Sequence, residues 1–422
     1  MCPLLHGLVA FVAFGSIAGA QPGVRLGLIY GEGGARPGIH VLPVAGASGD
    51  SIRAIVMRDL DFGDRVTVLS KNIALPSPVG AAAVDYRVAA RLGINGVVQI
   101  APVAGGVSMA LYDVGAKQVL QRAIVPLPAA TNTAAWRLAV HGASDLCEEW
   151  ISGTRGIAAT RLSFVADGRI WLVDSDGANA LAITQAGRAL SPAFRPDGQA
   201  VAYVSLEAGG SAIRVADLRG ASRQVLEPRG LNISPTFAPD GASIAYAHGE
   251  DFGTDLYVVA ASGGTPRRIS IGRGTDNTSP SFSPDGRRIA FTSGRSGQPD
   301  VYIADQDGTN ADLLAALSSS SQGYRSSPDW SPDGRAVAFQ SQLAGRFQVM
   351  VISLRDRVVT QLTADASNED PAWAPDSRHL VVSSTRSGVR QLWVLDTETG
   401  RARQVTGMSG ARLAAWSTRV GS

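Results

Sequence analysis

Beyond residue 160 the chain is written in short alternations of apolar and polar side chains, broken by turn sequences rich in Pro, Asp and Gly. A period of two marks half-buried strands, whose successive side chains point to opposite faces of a sheet. Ile289-Ala290-Phe291-Thr292-Ser293 reads as one strand and Val301-Tyr302-Ile303-Ala304-Asp305 as the next, with Asp307-Gly308 as the following turn. Val201-Ala202-Tyr203 with Ile213-Arg214-Val215, and Leu380-Val381-Val382 with Leu392-Trp393-Val394, are equivalent pairs. A shorter strand closes each unit, at Leu181 to Thr184, Gln361 to Thr363 and Gln404 to Thr406.

The units repeat. Ser191-Pro192-Ala193-Phe194-Arg195-Pro196-Asp197-Gly198 returns at Ser234 to Gly241 and Ser279 to Gly286, and in altered form at Pro328 to Gly334 and Pro371 to Ser377. The aromatic positions 194, 237, 282, 330, 373 and 416 are 43 to 48 residues apart, and the sixth, Trp416, has lost its Pro-Asp-Gly. This period is that of propeller blades. In Pro-Asp-Gly, Pro fixes φ, Asp bonds the backbone ahead and Gly accepts a positive φ, which together make a turn. One small sheet cannot bury both faces, whereas six stacked radially can. The series opens mid-blade at Thr160 to Phe164 and finishes on Leu413 to Ser417, so the last strand is expected to complete the blade begun near residue 161 and remove the exposed edges.

Residues 21 to about 153 lack the repeat and mix periods of 2 and 3.6, as an α/β domain does. Strands are expected at Val24 to Ile29, Ile39 to Leu42, Val66 to Leu69, Gly96 to Ile100 and Val107 to Tyr112. Helices are expected after a cap at Ser51, over Ala82 to Leu92, and over Thr133 to Ile151, with Gly153 just past the last. Trp136, Val140, Leu146 and Trp150 are its candidate core contacts. The expected organisation is therefore a leader at 1–20, an N-terminal α/β domain at 21–153, a linker at 154–160 and an all-β six-bladed propeller at 161–422.

The leader rests on the apolar run Leu8 to Phe14 followed by Ala18-Gly19-Ala20, whose small side chains suit a signal peptidase. Cleavage after Ala20 would make Gln21 the mature N-terminus of a periplasmic protein. The run is too short to span a bilayer, and direct membrane insertion is not expected. Cys2 would leave with the leader, so Cys147 reads as a buried, inert thiol. The charge of +2 arises from 38 basic and 36 acidic residues with no polybasic block, which argues against nucleic acid.

Catalytic signals are missing. There is no Gly-x-Ser-x-Gly elbow, and His40, His141, His248 and His379 stand far apart without metal-ligand spacing. No enzyme activity, cofactor or metal is expected. The segments Asp174 to Asn179 and Asp305 to Asn310 invite a calcium reading, but they lack the EF-hand frame and its terminal Glu, and fall where a hairpin turn is due.

The order of features across the chain resembles the TolB family. Arg36-Pro37-Gly38-Ile39-His40-Val41-Leu42-Pro43 looks like that family's Arg-Pro-Ile-x-Val-x-Pro-Phe, with Val44 in place of Phe. Leu92 to Val98 is similar to its strand entry, and His141 to Asp145 through Gly153 to Leu162 to its helix and linker. Asp61 to Asp64 departs from the family's Ser-Gly-hydrophobic turn, and Gly31 to Ala35 is unusually Gly-rich. The resemblance implies a monomeric hub of the Tol-Pal system. Its propeller would bind the outer-membrane lipoprotein Pal and its free N-terminal segment the inner-membrane protein TolA, in support of outer-membrane invagination at division. In this sequence the segment would act through Gln21, Val24, Arg25, Leu26 and Tyr30. Propeller contacts would come from loops before each repeat Pro, at Ser191, Ile233, Ser234, Thr278, Ser279, Ser326, Ser327, Glu369 and Asp370. These same residues could merely form turns. The rival expectations are a divergent propeller binding another envelope protein or a glycan, and a propeller serving a hydrolase.

Overall fold

A computed structural model of the chain describes residues 36–69, 84–185, 187–249, 253–270, 276–314 and 324–419. The expected leader, the strand Val24 to Ile29 and the start of the helix expected from Ala82 lie outside them.

The first unit is a five-stranded sheet covered by helices. Its strands are β1 (Gly38–Val41), β2 (Thr67–Val68), β3 (Gly96–Val103), β4 (Gly106–Asp113) and β5 (Gln118–Pro126), in the order β2-β1-β3-β4-β5. β1 runs parallel to β2 and β3, whereas β3, β4 and β5 form an antiparallel meander. The edge strand β5 has no counterpart among the expected strands, since only Val119 to Leu120 and Ala123 to Val125 give it an apolar signal.

Helix α1 (Gly49–Phe62) begins at Ser48, so Ser51 lies inside the first turn and is not its cap. α2 (Tyr86–Arg91) starts at Asp85, whose carboxylate accepts the N–H groups of Arg87 and Val88. This cap sets the start that the apolar pattern placed earlier. α3 (Ala134–Ser152) is capped by Thr133, which accepts Trp136 N–H at 3.2 Å, and ends at Gly153 with φ +78°. Ile52, Val56 and Leu60 of α1 and Trp136, Val140, Cys147 and Ile151 of α3 share one core with the sheet, and Leu146 packs at its margin. Burial pushes the Cys147 thiol up to about 12, which leaves it a thiol at neutral pH.

Six four-stranded sheets follow around a ring. In blades 2 to 6 the innermost strands are Ala189–Phe194, Leu231–Phe237, Asn277–Phe282, Arg325–Trp330 and Asn368–Trp373. Blade 1 takes its innermost strand from the far end of the chain: Arg412–Trp416 pairs with Arg161–Ala166, with Ala415 opposite Ser163 and Trp416 opposite Leu162. Ser417 N–H donates to Arg161 O, Arg161 N–H donates to Ser417 Oγ, and Trp416 Nε1–H donates to Thr160 Oγ1 at 2.7 Å. The ring is thus closed by chain segments some 250 residues apart.

The repeat turns have the chemistry their residues demand. Gly198, Gly241, Gly286 and Gly334 hold φ between 68° and 75°, and Ser377 takes φ 57° where the fifth copy has no glycine. The preceding aspartates accept the backbone N–H two residues ahead, as Asp197 does from Gln199 and Asp376 from Arg378. The suspected calcium segments are turns of the same kind: Asp307 accepts the N–H and hydroxyl of Thr309, and Asn310 donates to Asp305.

Candidate partner-binding funnel

The six innermost strands converge on a funnel of about 330 Å³. Each strand is broken at one place by a bulge, which in blades 2 to 6 falls at the Pro that has no N–H to give the ladder. The residue before each Pro sits in the left-handed region: φ is 48° at Ser191, 52° at Ser234, 51° at Ser279 and 53° at Ser327 and Asp370. A sixth equivalent, Leu413, has φ 51°, although the blade it belongs to has lost its Pro. Counting three residues back from Trp416 would have found it, as the same count from the other five aromatics finds the rest.

All six line the funnel. They sit within strands at bulges, not in loops before them, which corrects the expected local structure. Ile233, Thr278, Ser326 and Glu369, one position earlier, do not line it. Ile233 joins an apolar cluster between blades, Ser326 accepts the Gln340 amide at 2.9 Å and Glu369 pairs with Arg390 at 2.7 Å. The alternation of a strand therefore splits the proposed residues into a set that lines the funnel and a half-buried or buried set that does not.

One layer further in, the funnel wall carries Ala193, Thr236, Ser281, Asp329, Ala372 and Ala415. Asp329 accepts Trp373 N–H at 2.7 Å and the Ser281 hydroxyl at 3.3 Å. Its withdrawal from water pushes the carboxyl up to about 6, despite these two donors. Burial, reinforced by the nearby charge of Glu369, likewise raises Asp370 to about 6. Among the described residues no cationic side chain lines the funnel, and its carboxylates, Asp329 and Asp370, lie on blades 5 and 6. Gln21, Val24, Arg25, Leu26 and Tyr30 lie outside the described residues.

The ring is joined to the first unit through charges that the linear sequence did not reveal. His141 of α3 is fully buried, with Nδ1 2.7 Å from Asp59 of α1 and Nε2 3.5 Å from Asp176 in blade 1. Burial alone would lower its pKa; the Asp59 bond and the charges of both carboxylates outweigh this and raise it. On blade 6, Arg401 and Arg403 grip Asp61 and Asp64, two residues of the turn that departs from the family pattern. Arg65 bridges Glu148 and Asp376.

Asp64, His379 and Asp396 offer ligand atoms within 4.8 Å of one another, all buried. They do not suit a cation. Both Asp396 oxygens are taken by Arg378, Asp64 Oδ1 accepts from Arg36, Arg401 and Arg403, and His379 Nδ1 faces Asp376 at 2.7 Å. The cluster is an ion-pair junction already neutralised by guanidinium groups.

Comparison with known proteins agrees with this architecture. The TolB beta propeller domain family matches residues 148–321 and 314–420. The chain belongs to the TolB family. It is 32% identical over 220 residues to the Tol-Pal system protein TolB of Haemophilus influenzae (strain 86-028NP), an alignment covering 49% of this chain and 51% of the relative. With the protein of the same name from Erwinia tasmaniensis it shares 30% over 217 residues, covering 48% and 50%. The chain thus spans about half the length of the curated relatives it matches. The crystal structure of TolB from Acinetobacter baumannii superposes with a TM-score of 0.78 at 26% identity, over 91% of this chain and 97% of that one. The TolB family is a non-enzymatic propeller family. Among the described residues no helix is long and apolar enough to cross a membrane.

Proposed function

We propose that this chain is a periplasmic hub of a Tol-Pal system. It takes up a Pal-like outer-membrane lipoprotein at the funnel mouth and a TolA-like inner-membrane protein through the segment from Gln21 to Tyr30, and so supports outer-membrane invagination at division and envelope integrity.

The observation that carries this reading is the ring of six left-handed residues at the funnel wall. Held in a sparsely populated conformation by the blades around them, such residues form a rigid frame of turned-out backbone, with small polar side chains at five of the six positions and Leu413 at the sixth. A frame of this kind is preorganised to receive a protruding segment of a folded partner, with little ordering left to do on binding. Membership of the TolB family and the Tol-Pal relatives support the choice of partner system.

The test is a calorimetric titration of the exported chain with the soluble domain of the Pal-like lipoprotein from the same organism. Saturable 1:1 binding should be lost when Ser279 and Ser327 are both replaced by Arg, with thermal melts confirming the fold. Binding that survives these substitutions unchanged refutes the funnel, and no binding at all refutes the Pal assignment in favour of another envelope partner. Deleting residues 21–30 should abolish binding of the TolA-like protein while sparing Pal.

A further inference from the structure

A second cavity, larger than the funnel, lies in the ring wall. A cleft of about 730 Å³ opens between the outer strand of blade 1 and the second to fourth strands of blade 2. Its wall carries three guanidinium groups, Arg188, Arg214 and Arg219, against a single carboxylate, Glu207. Several arginines elsewhere that are largely withdrawn from water form ion pairs, among them Arg65, Arg137, Arg325, Arg378 and Arg403. In the cleft only Arg214 does so, at 3.5 Å from Glu207, and its Nε and Nη1 also reach Ser222 and Gln224 at 3.3 Å. Arg188 and Arg219 are exposed and make no side-chain ion pair among the described residues.

Hydroxyl groups complete the wall. Tyr203 is a buried residue whose phenol oxygen lies 2.9 Å from Ser222 Oγ. Two hydroxyls sharing one hydrogen bond leave one O–H free to donate, and both line the cleft. Thr184 and Ser205 stand nearby in the same wall.

We infer that this cleft binds a phosphate monoester carried on a small, sugar-sized body. Three guanidinium groups less one carboxylate leave two positive charges uncompensated, and a phosphate monoester supplies nearly two negative ones near neutral pH. Its three terminal oxygens can accept several donors at once, which suits the planar forks of arginine and the spare hydroxyl. A lone carboxylate would satisfy only half of that charge. The site is separate from the funnel and does not depend on the Tol-Pal reading.

The experiment is a titration of the full chain at physiological salt with glucose 6-phosphate and, in parallel, glucuronate. Glucose 6-phosphate should saturate a single site, and glucuronate should bind at least about tenfold more weakly. The double variant Arg188→Gln/Arg219→Gln, both exposed positions, should melt like the wild type and lose at least about tenfold in affinity. Glu207→Gln removes the opposing charge and should bind more tightly than the wild type. Failure of glucose 6-phosphate to saturate in the millimolar range, equal binding of glucuronate, or unchanged affinity in the double variant would each overturn the assignment.

Discussion

Closure of the ring makes Trp416 a sensitive point. The side chain is 8% exposed and packs with Leu162, Phe164, Val381 and Leu392 across the junction between the two ends of the ring. It also makes the 2.7 Å bond to Thr160 Oγ1. Trp416→Ala leaves the backbone pairing of Arg412–Trp416 possible but opens a large cavity, at a cost of about 3–5 kcal/mol. Trp416→Phe keeps most of the packing and removes the N–H. Thr160 still donates to Ile157 O, so little is left unsatisfied, and the cost falls to about 1–2 kcal/mol. At about 2–4 °C per kcal/mol the first change should lower the melting temperature by roughly 6–20 °C and the second by a few degrees. Urea titration followed by far-ultraviolet circular dichroism measures both, since the signal does not depend on the tryptophan removed. A Trp416→Ala protein within about 1 kcal/mol of the wild type would show that the last strand does not hold the ring shut.

Three other outcomes follow from the structure. His141 has a raised pKa in the folded state, so the stability it contributes is present below its unfolded value and is lost as pH rises through the folded one. His141→Gln should therefore cost about 1–2 kcal/mol at pH 6 and less at pH 9, measured by denaturant titration at both. Asp329 has a folded pKa of about 6, above its unfolded value, so the wild type loses stability from about pH 4 to pH 6. Asp329→Asn should be spared that loss, by less than about 3 kcal/mol because the group is only half-buried, and identical pH profiles would contradict the raised value. Gly308 has φ 87°, and a Cβ there would lie 1.4 Å from Ile269 O, whereas Gly297 has φ 93° with open space around it. Gly308→Ala should cost well over about 2 kcal/mol in a thermal melt, and Gly297→Ala about 1.

The ring was legible because its information is local and repeated. Each copy carries its own turn residues and its own alternating strands, so Pro196-Asp197-Gly198 and Ile289 to Ser293 identify themselves without reference to the rest of the chain. The innermost strand was harder to see. Ser-Pro breaks the alternation at the bulge, which makes Ser191 and its equivalents look like loop residues when they are strand residues with a left-handed φ. Leu413 was hidden because its blade lacks both Pro and Pro-Asp-Gly. The junction with the first unit left no trace at all: Asp59, His141 and Asp176 come from three distant stretches, as do Asp64, Arg378 and Arg403. Long-range charge pairing has no period, so only the folded chain brings it together.

The funnel is tested most directly by hydrogen–deuterium exchange on the chain alone and with the soluble domain of the Pal-like lipoprotein bound. Protection should concentrate in peptides containing Ser191, Ser234, Ser279, Ser327, Asp370 and Leu413, from all six blades at once. Protection confined to the outer strands or to the first unit, with these six unchanged, would contradict a binding site at the centre of the ring.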